Sequence, residues 1–436
     1  MSIGLLTVLF FLSLIVFLIA GLPLVFVLGG ISIVFLYFTW GIESFYMVAS
    51  QVWGSMNSFT LIAIPLFVYM AMILEKSGVA QALYRMMHLW WGGVRGGLAI
   101  GTVAICTLFA AMVGISGAAV VTMGTIALPA MFEQKYDKRM AIGCISAGGG
   151  LGILIPPSVL MILYSLITGA SVGKMFAAGV IPGLMLALMI CAYIFIRCWL
   201  QPEMGPALPI DQRGTWADKI EALRAVLLPM LIVTMVLGSI MLGIATPTEA
   251  AASGVLGALI SAAVHRKLTW ELVRESALRT FVLTGMIMWI LFAAHSFSAA
   301  YQGMGATSLI QGLAAHIPGG PWGAIIVMQL VLLLLGMVLD PVGIMMITLP
   351  VFLPIITAYG FDPIWFGILF IINMEIGYQT PPFGFNLFYL KAIVPPNITM
   401  GDIYHSVTPY TLVLLLGLIL VMLFPGLATW LPSIVL

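Results

Sequence analysis

The sequence predicts an all-α, polytopic membrane protein built as an inverted repeat, with two re-entrant helical hairpins and two broken helices. Three observations predict it. Apolar stretches suited to hydrocarbon recur from end to end, helix-breaking residues recur at one fixed offset, and the basic residues that flank the first copy are missing from the second.

The chain is 62% hydrophobic and only 7% charged. Soluble domains carry roughly 25% charged residues, so the whole chain is composed for an apolar solvent. About 20 apolar residues cross roughly 30 Å of hydrocarbon, and runs of that character include residues 5–19, 61–74, 181–196, 225–244 and 411–424. The short alternating segments of an outer-membrane barrel are absent. A net charge of +1 points to no nucleic acid or other polyanion. Cys106, Cys144, Cys191 and Cys198 sit singly in apolar segments, without metal-type spacing, and read as packing residues. The first apolar run has no basic region before it and no small-residue cleavage site after it. It reads as a first membrane helix, not a removable signal peptide.

The two copies register at an offset of 224 or 225 residues. Ala20-Gly21-Leu22-Pro23 falls on Ala245-Thr246-Pro247, and Ser44-Phe45-Tyr46 on Thr269-Trp270-Glu271, each the start of a short amphipathic piece before the next span. Ser116-Gly117 falls on Asp340-Pro341, Leu128-Pro129 on Leu353-Pro354, and Pro156-Pro157 on Pro381-Pro382. Five matches in one order define a repeat.

Charge then orients the copies. Arg85, Arg95, Lys135, Lys138 and Arg139 flank the first copy's segment around Ser116, whereas residues 310–322 and 357–365 hold no Lys or Arg. The positive-inside rule therefore has the two segments entered from opposite faces. Residues 197–224 and the cluster His265-Arg266-Lys267 with Arg274 and Arg279 are expected to be cytoplasmic, and both chain ends to lie outside. Residues 216–224 read as a short amphipathic helix on the cytoplasmic surface. An inverted repeat with interrupted helices is the architecture of secondary transporters, which bind ligand near the midplane.

Each interrupted segment has a physical reading. Residues 97–132 are apolar, broken at Gly114-Ile115-Ser116-Gly117, and basic at both ends, which suits a hairpin turning near the midplane. One kinked spanning helix is the alternative. Residues 323–356, broken at Asp340-Pro341-Val342-Gly343, are the counterpart from the other face. The helix after each hairpin is broken as well, at residues 148–158 and 377–384. Paired prolines there (Pro156, Pro157 and Pro381, Pro382) remove donors and free carbonyls about four residues earlier. Such backbone survives in a membrane only where it lines a cavity or binds something. Freed carbonyls, hydroxyls and half-helix C-termini suit a hard cation, and half-helix N-termini suit a carboxylate.

Asp340, a carboxylate at membrane depth, either ligates sodium or caps the following half-helix. Thr246-Pro247-Thr248-Glu249 reads as a capping box opening a helix at the break made by Pro247. Glu375 and Lys391 could pair, and neither is assigned a site. Gly114-Ile115-Ser116-Gly117 also fits the GxSG pattern of intramembrane serine proteases. Ser116 would then need a base, and His295 is the one histidine deep in a span. Tyr136-Asp137 resembles half of an aspartyl intramembrane protease motif but falls in a charged loop.

With these pieces in place, the chain resembles the large membrane subunit of the tripartite ATP-independent periplasmic (TRAP) transporters over nearly its whole length. The resemblance rests on GISGAAVVTMGTIAL (114–128), GLGILIPPS (150–158), ATPTEAA (245–251), LDPVGIMMITLP (339–350) and QTPPFG (379–384). It implies an elevator-type carrier in the bacterial cytoplasmic (inner) membrane, and not an enzyme. It also implies sodium ions as coupling ions, a small four-helix membrane subunit not fused to this chain, and a periplasmic substrate-binding protein that delivers an organic acid anion. Four-carbon dicarboxylates, sialic acids, keto acids and sugar acids all stay open.

The implied scaffold and arm helices are residues 1–95 and 225–320. The implied transport domain is 96–198 and 321–407, with a cytoplasmic linker at 199–224 and a final membrane helix at 408–436. One sodium site would draw on Gly114, Ser116 and Gly117 with carbonyls around Gly149, Gly152, Ile155 and Pro157. The other would draw on Asp340 with Thr380 and carbonyls at Gly377 and Phe383. Substrate would lie between the hairpin tips, against Ser116 and Asn386. Gly117-Ala118-Ala119 lacks a second hydroxyl, which leaves the first site dependent on backbone oxygens. A stand-alone ion-coupled carboxylate carrier of related fold is the alternative.

Overall fold

A computed structural model describes residues 2–114, 116–209 and 213–435. The first half runs α1 (Ile3–Ile19), α2 (Leu24–Trp40), α3 (Phe45–Met56), α4 (Phe59–Lys76), α5 (Val79–Trp91), α6 (Gly97–Val113), α7 (Ser116–Glu133), α8 (Lys138–Gly150), α9 (Val159–Thr168) and α10 (Val172–Leu200). The second runs α11 (Trp216–Met241), α12 (Pro247–Val264), α13 (Trp270–Gly303), α14 (Ala306–Ala314), α15 (Gly320–Gly336), α16 (Pro341–Ala358), α17 (Pro363–Tyr378), α18 (Phe385–Ile393) and α19 (Met400–Leu423), with α20 (Gly426–Val435) added. The repeat read from the sequence holds at the hairpins and broken helices: α7 and α16, and α8 and α17, start 225 residues apart. Among the described residues, eight helices are long and apolar enough to span a bilayer, and there is no β-strand.

Both hairpins form. The backbone N–H of Leu98, at the start of α6, donates to the Tyr136 hydroxyl beyond the end of α7, at 3.2 Å. The chain therefore turns back at Gly114 and returns to its starting face, as a single kinked spanning helix could not. The same closure appears at the equivalent positions of the second half. Trp322, in the first turn of α15, packs edge-on against Phe361 beyond α16, ring centroids 5.5 Å apart.

The basic segments are tied together on one face. Gly92 and Gly96 exchange backbone hydrogen bonds with Leu208 and Gly205, and Asp137 N–H donates to the Met204 carbonyl. Lys138 pairs with Asp402 at 2.6 Å, and Lys76 with Glu275. These contacts bring both ends of the first hairpin and the linker to one side, while the second hairpin closes on aromatic residues.

The structure corrects two local expectations. Residues 216–224 are not a separate surface helix but the first turns of α11. Thr215 and Asp218 form a capping box at Trp216, and the helix runs on through Pro229 to Met241. The repeat is also imperfect at the short amphipathic piece. The first half has α3, ended at Asn57, whose amide donates to the Trp53 carbonyl at 2.8 Å. The second half has no such break, and α13 continues for 34 residues. At the Pro247 break the capping box is present: Glu249 Oε2 accepts from the Thr246 N–H, and Thr246 Oγ1 from the Glu249 N–H.

Candidate functional site at the hairpin tips

The first tip is seated on the first broken helix. Gly114 carries the turn with φ +65°, and a Cβ there would lie 2.4 Å from the Pro157 carbonyl oxygen. Only glycine meets both demands. Ile115 lies outside the described residues. Ser116 opens α7, and its hydroxyl donates to Asn386 Oδ1 at 2.9 Å, both residues buried. Gly117 faces Tyr389, whose ring would lie 2.6 Å from a Cβ at that position. The first tip thus touches α18, a half-helix of the opposite repeat.

The second tip starts α16. Asp340 Oδ2 accepts from the N–H groups of Val342 (3.0 Å) and Gly343 (3.3 Å), and Pro341 takes the first helical position, where its missing donor costs nothing. Asp340 is therefore a helix cap. Both cap bonds fall on one oxygen, and a carboxylate has a second with lone pairs of its own. A Cβ on Gly343 would lie 2.2 Å from Leu24 Cδ2, so this tip rests on the start of α2.

The breaks are shorter than the sequence suggests. α8 runs through Gly150 and α17 through Tyr378, so Gly149 and Gly377 belong to last helical turns, whose carbonyls lack the regular partner four residues on. Buried Gly152 lies in the 3-10 turn Leu151–Ile153. Ile155 packs on α10, where a Cβ on Gly183 would meet it at 2.7 Å. Both Pro-Pro bonds, Pro156-Pro157 and Pro381-Pro382, are cis.

The chain itself takes back some of the freed carbonyls. Ile153 accepts from Ser158 Oγ (2.6 Å), Ile376 from Thr380 Oγ1 (2.6 Å), Gly377 from the Thr380 N–H (3.1 Å) and Pro382 from the Tyr404 hydroxyl (3.0 Å). Phe383 is exposed. The hydroxyls of Ser116 and Thr380 each spend their proton on a neighbouring carbonyl-type oxygen. Their own lone pairs are thereby left to face a donor or a cation.

The halves also meet at Gly150 and Glu375, which are 225 residues apart and so occupy equivalent positions. A Cβ on Gly150 would lie 3.1 Å from Glu375 Cγ, 3.3 Å from its Oε1 and 3.6 Å from Asn386 Nδ2. Symmetry mates can touch only beside the axis that relates them. Glu375 is fully buried, and among the described residues neither carboxylate oxygen nor Asn386 Nδ2 has a hydrogen-bond partner. The Glu375–Lys391 pair does not form, because Lys391 Nζ donates to the Ile398 carbonyl at 2.6 Å. An acidic residue in an apolar helix was a visible signal for Glu375; its mate being glycine was the second.

The protease constellation is not assembled. Ser116 bonds to Asn386, whereas His295 Nδ1 lies 2.5 Å from Ser55 Oγ. Asp137 caps α8, accepting from the Arg139 N–H at 2.8 Å.

Two hairpins, two breaks and an inverted repeat constitute a carrier's geometry, and comparison with known proteins identifies which. Residues 11–427 match the family described as tripartite ATP-independent periplasmic transporter, DctM component. The chain belongs to that family. It is thus the large permease subunit of a TRAP transporter, a multi-pass membrane protein and not an enzyme.

Among relatives, the C4-dicarboxylate TRAP transporter large permease protein DctM of Pseudomonas aeruginosa is 35% identical, over 90% of each chain. Its namesake in Vibrio cholerae is 34% identical over 98% of this chain and 97% of its own. The ectoine TRAP transporter large permease protein TeaC of Halomonas elongata is 31% identical over 96% of each. The YdaH transporter of Alcanivorax borkumensis shares the fold, with TM-score 0.66 at 14% identity, covering 88% of this chain and 89% of that one.

Proposed function

We propose that this DctM-family chain carries out sodium-coupled uptake of an organic acid anion across the bacterial cytoplasmic membrane. It works with a small four-helix membrane subunit and a periplasmic substrate-binding protein, and both of its termini are periplasmic. The observation that carries the reading is the junction of Gly114 with the Pro157 carbonyl and of Ser116 with Asn386. It joins the first tip to both repeats at one buried place.

One sodium ion is held by oxygens of the first tip and break: Ser116 Oγ with carbonyls from Gly114, Gly117, Gly149, Gly152, Ile155 and Pro157. A second is held by Asp340 and Thr380 with carbonyls near Gly377 and Phe383. Hard cations take such all-oxygen sets, and the C-terminal ends of α8 and α17 add negative potential. The anion binds between the tips beside Ser116 and Asn386, where the first turns of α7, α9, α16 and α18 present N–H groups.

Residues 96–198 and 321–407 form the moving domain. The ions are bound first, because Asp340 and the bare carbonyls are costly to slide past an apolar scaffold unliganded. The names of the relatives favour a four-carbon dicarboxylate as cargo.

The test is uptake into proteoliposomes that hold this chain and its small subunit, with the neighbouring binding protein supplied outside. An inward sodium gradient should drive accumulation, and Thr380→Val should weaken the dependence on sodium. Accumulation that is indifferent to sodium would overturn the coupling.

A further inference from the structure

A chamber of about 580 Å³ opens beside the first hairpin tip. Its tip-side wall is Gly117, Val121 and Tyr389; its scaffold wall includes Glu75 of α4 and Arg279 of α13. Glu75 also borders a second cavity of about 800 Å³ that reaches Arg266 and Lys267. The two volumes share a wall residue and lead from the tip to the basic face.

The opposite face differs. The repeat carries α7 onto α16, α18 onto α9, the start of α13 onto α3, and α4 onto the end of α13. The space between those elements, lined by Gln51, His295, Gln302 and Met346, is about 160 Å³. The pair of symmetry-related chambers is therefore unequal, and the wide one faces the basic side.

Arg279 is the cation in that wide chamber. Arg279 is exposed, one turn beyond Glu275 on α13, and lies in the field of Glu75 and Glu275; the ion pairs among the described residues are Lys76–Glu275 and Lys138–Asp402, so it forms no direct pair with either. Glu75, its neighbour in the wall, accepts from Thr122 Oγ1 at 3.3 Å. Arg279 lies nine residues into α13, about 14 Å along the axis at the α-helical rise. Its guanidinium has five N–H donors and makes no direct ion pair, so it has donors to spare for an incoming carboxylate. The guanidinium fork matches a carboxylate.

We propose that Arg279 receives the carboxylate of the cargo on the cytoplasmic side. It stands on the scaffold and faces the first hairpin tip, from which the anion is handed over. The identity of the cargo rests on the functional reading above.

The test uses the chain with its small subunit in inverted membrane vesicles, carrying Val121→Cys. The wild-type chain, whose cysteines lie outside the chamber lining, is the blank. An anionic methanethiosulfonate reagent should label Val121→Cys faster than a cationic one. Adding Arg279→Gln should lower that ratio by about tenfold or more, since removing one unit charge at such range acts oppositely on the two reagents. Arg279→Lys should restore the ratio but leave the cytoplasmic-side KM for succinate, used as the carboxylate probe, raised several-fold, because an ammonium lacks the fork. Failure of Val121→Cys to label from the cytoplasmic side, or a ratio unmoved by Arg279→Gln, overturns the proposal. Normal labelling with no carboxylate transport by the wild-type chain would instead overturn the functional reading.

Discussion

Replacing Gly114 by alanine tests whether the first hairpin tip is held on the broken helix behind it. Two penalties are expected. The left-handed φ of +65° costs a residue with a Cβ about 1–2 kcal/mol. The new methyl would also stand 2.4 Å from the Pro157 carbonyl oxygen, backbone that cannot swing aside, and such overpacking costs about 1–3 kcal/mol. Together they give about 2–5 kcal/mol. Gly169 supplies the control, since its φ is +73° but nothing lies within 4 Å of its Cβ position. Gly169→Ala should therefore lose only the first part, about 1–2 kcal/mol. Equilibrium unfolding of both variants in mixed detergent micelles measures the difference. Equal losses would refute the seating of the tip on Pro157. Uptake should fall further in Gly114→Ala than in Gly169→Ala at matched expression.

Three other outcomes follow from the same geometry. Gly377→Ala would place a Cβ 2.8 Å from the Gly336 Cα, backbone against backbone, so α15 must part from α17; a loss of about 1–3 kcal/mol in the same unfolding assay is expected. Ser116→Ala leaves buried Asn386 Oδ1 without its donor and should cost about 1–3 kcal/mol and weaken sodium dependence, read from the sodium concentration at half-maximal uptake. Glu375→Gln keeps shape while removing a buried carboxyl that has no partner among the described residues; its melting temperature should hold or rise while uptake falls tenfold or more, and intact uptake would reduce Glu375 to a packing residue.

The repeat was legible because its signals are covalent. Pro-Pro pairs and glycine turns break helices wherever they stand, so Pro156 and Pro381 announced equivalent breaks before any packing was known. Hairpin closure followed from charge, since basic flanks on both sides of Ser116 keep both ends on one face. What escaped the sequence depends on three-dimensional neighbours. Residues 216–224 have the amphipathic pattern of a surface helix, yet nothing after Arg224 stops α11, and the same residues start a span. From the sequence Glu375 looks like half of an ion pair with Lys391, but Lys391 donates to the Ile398 carbonyl instead. Its contact with Gly150 appears only when the halves are folded together. From the sequence Asp340 reads as ligand or cap, and the structure displays the cap; its second oxygen keeps the other role available. At the breaks, Ser158 and Thr380 lie near enough in sequence to hydrogen-bond the Ile153, Ile376 and Gly377 carbonyls, local contacts that the proline spacing alone does not reveal.

The most direct test of the account is radioactive sodium binding to the purified chain at equilibrium, with choline as the control cation. Saturable binding should appear with all-oxygen selectivity for sodium, and Asp340→Asn should weaken one component at least tenfold while leaving the fold's unfolding transition in place. Binding that never saturates above the choline control, or an isotherm that Asp340→Asn leaves untouched, would contradict it.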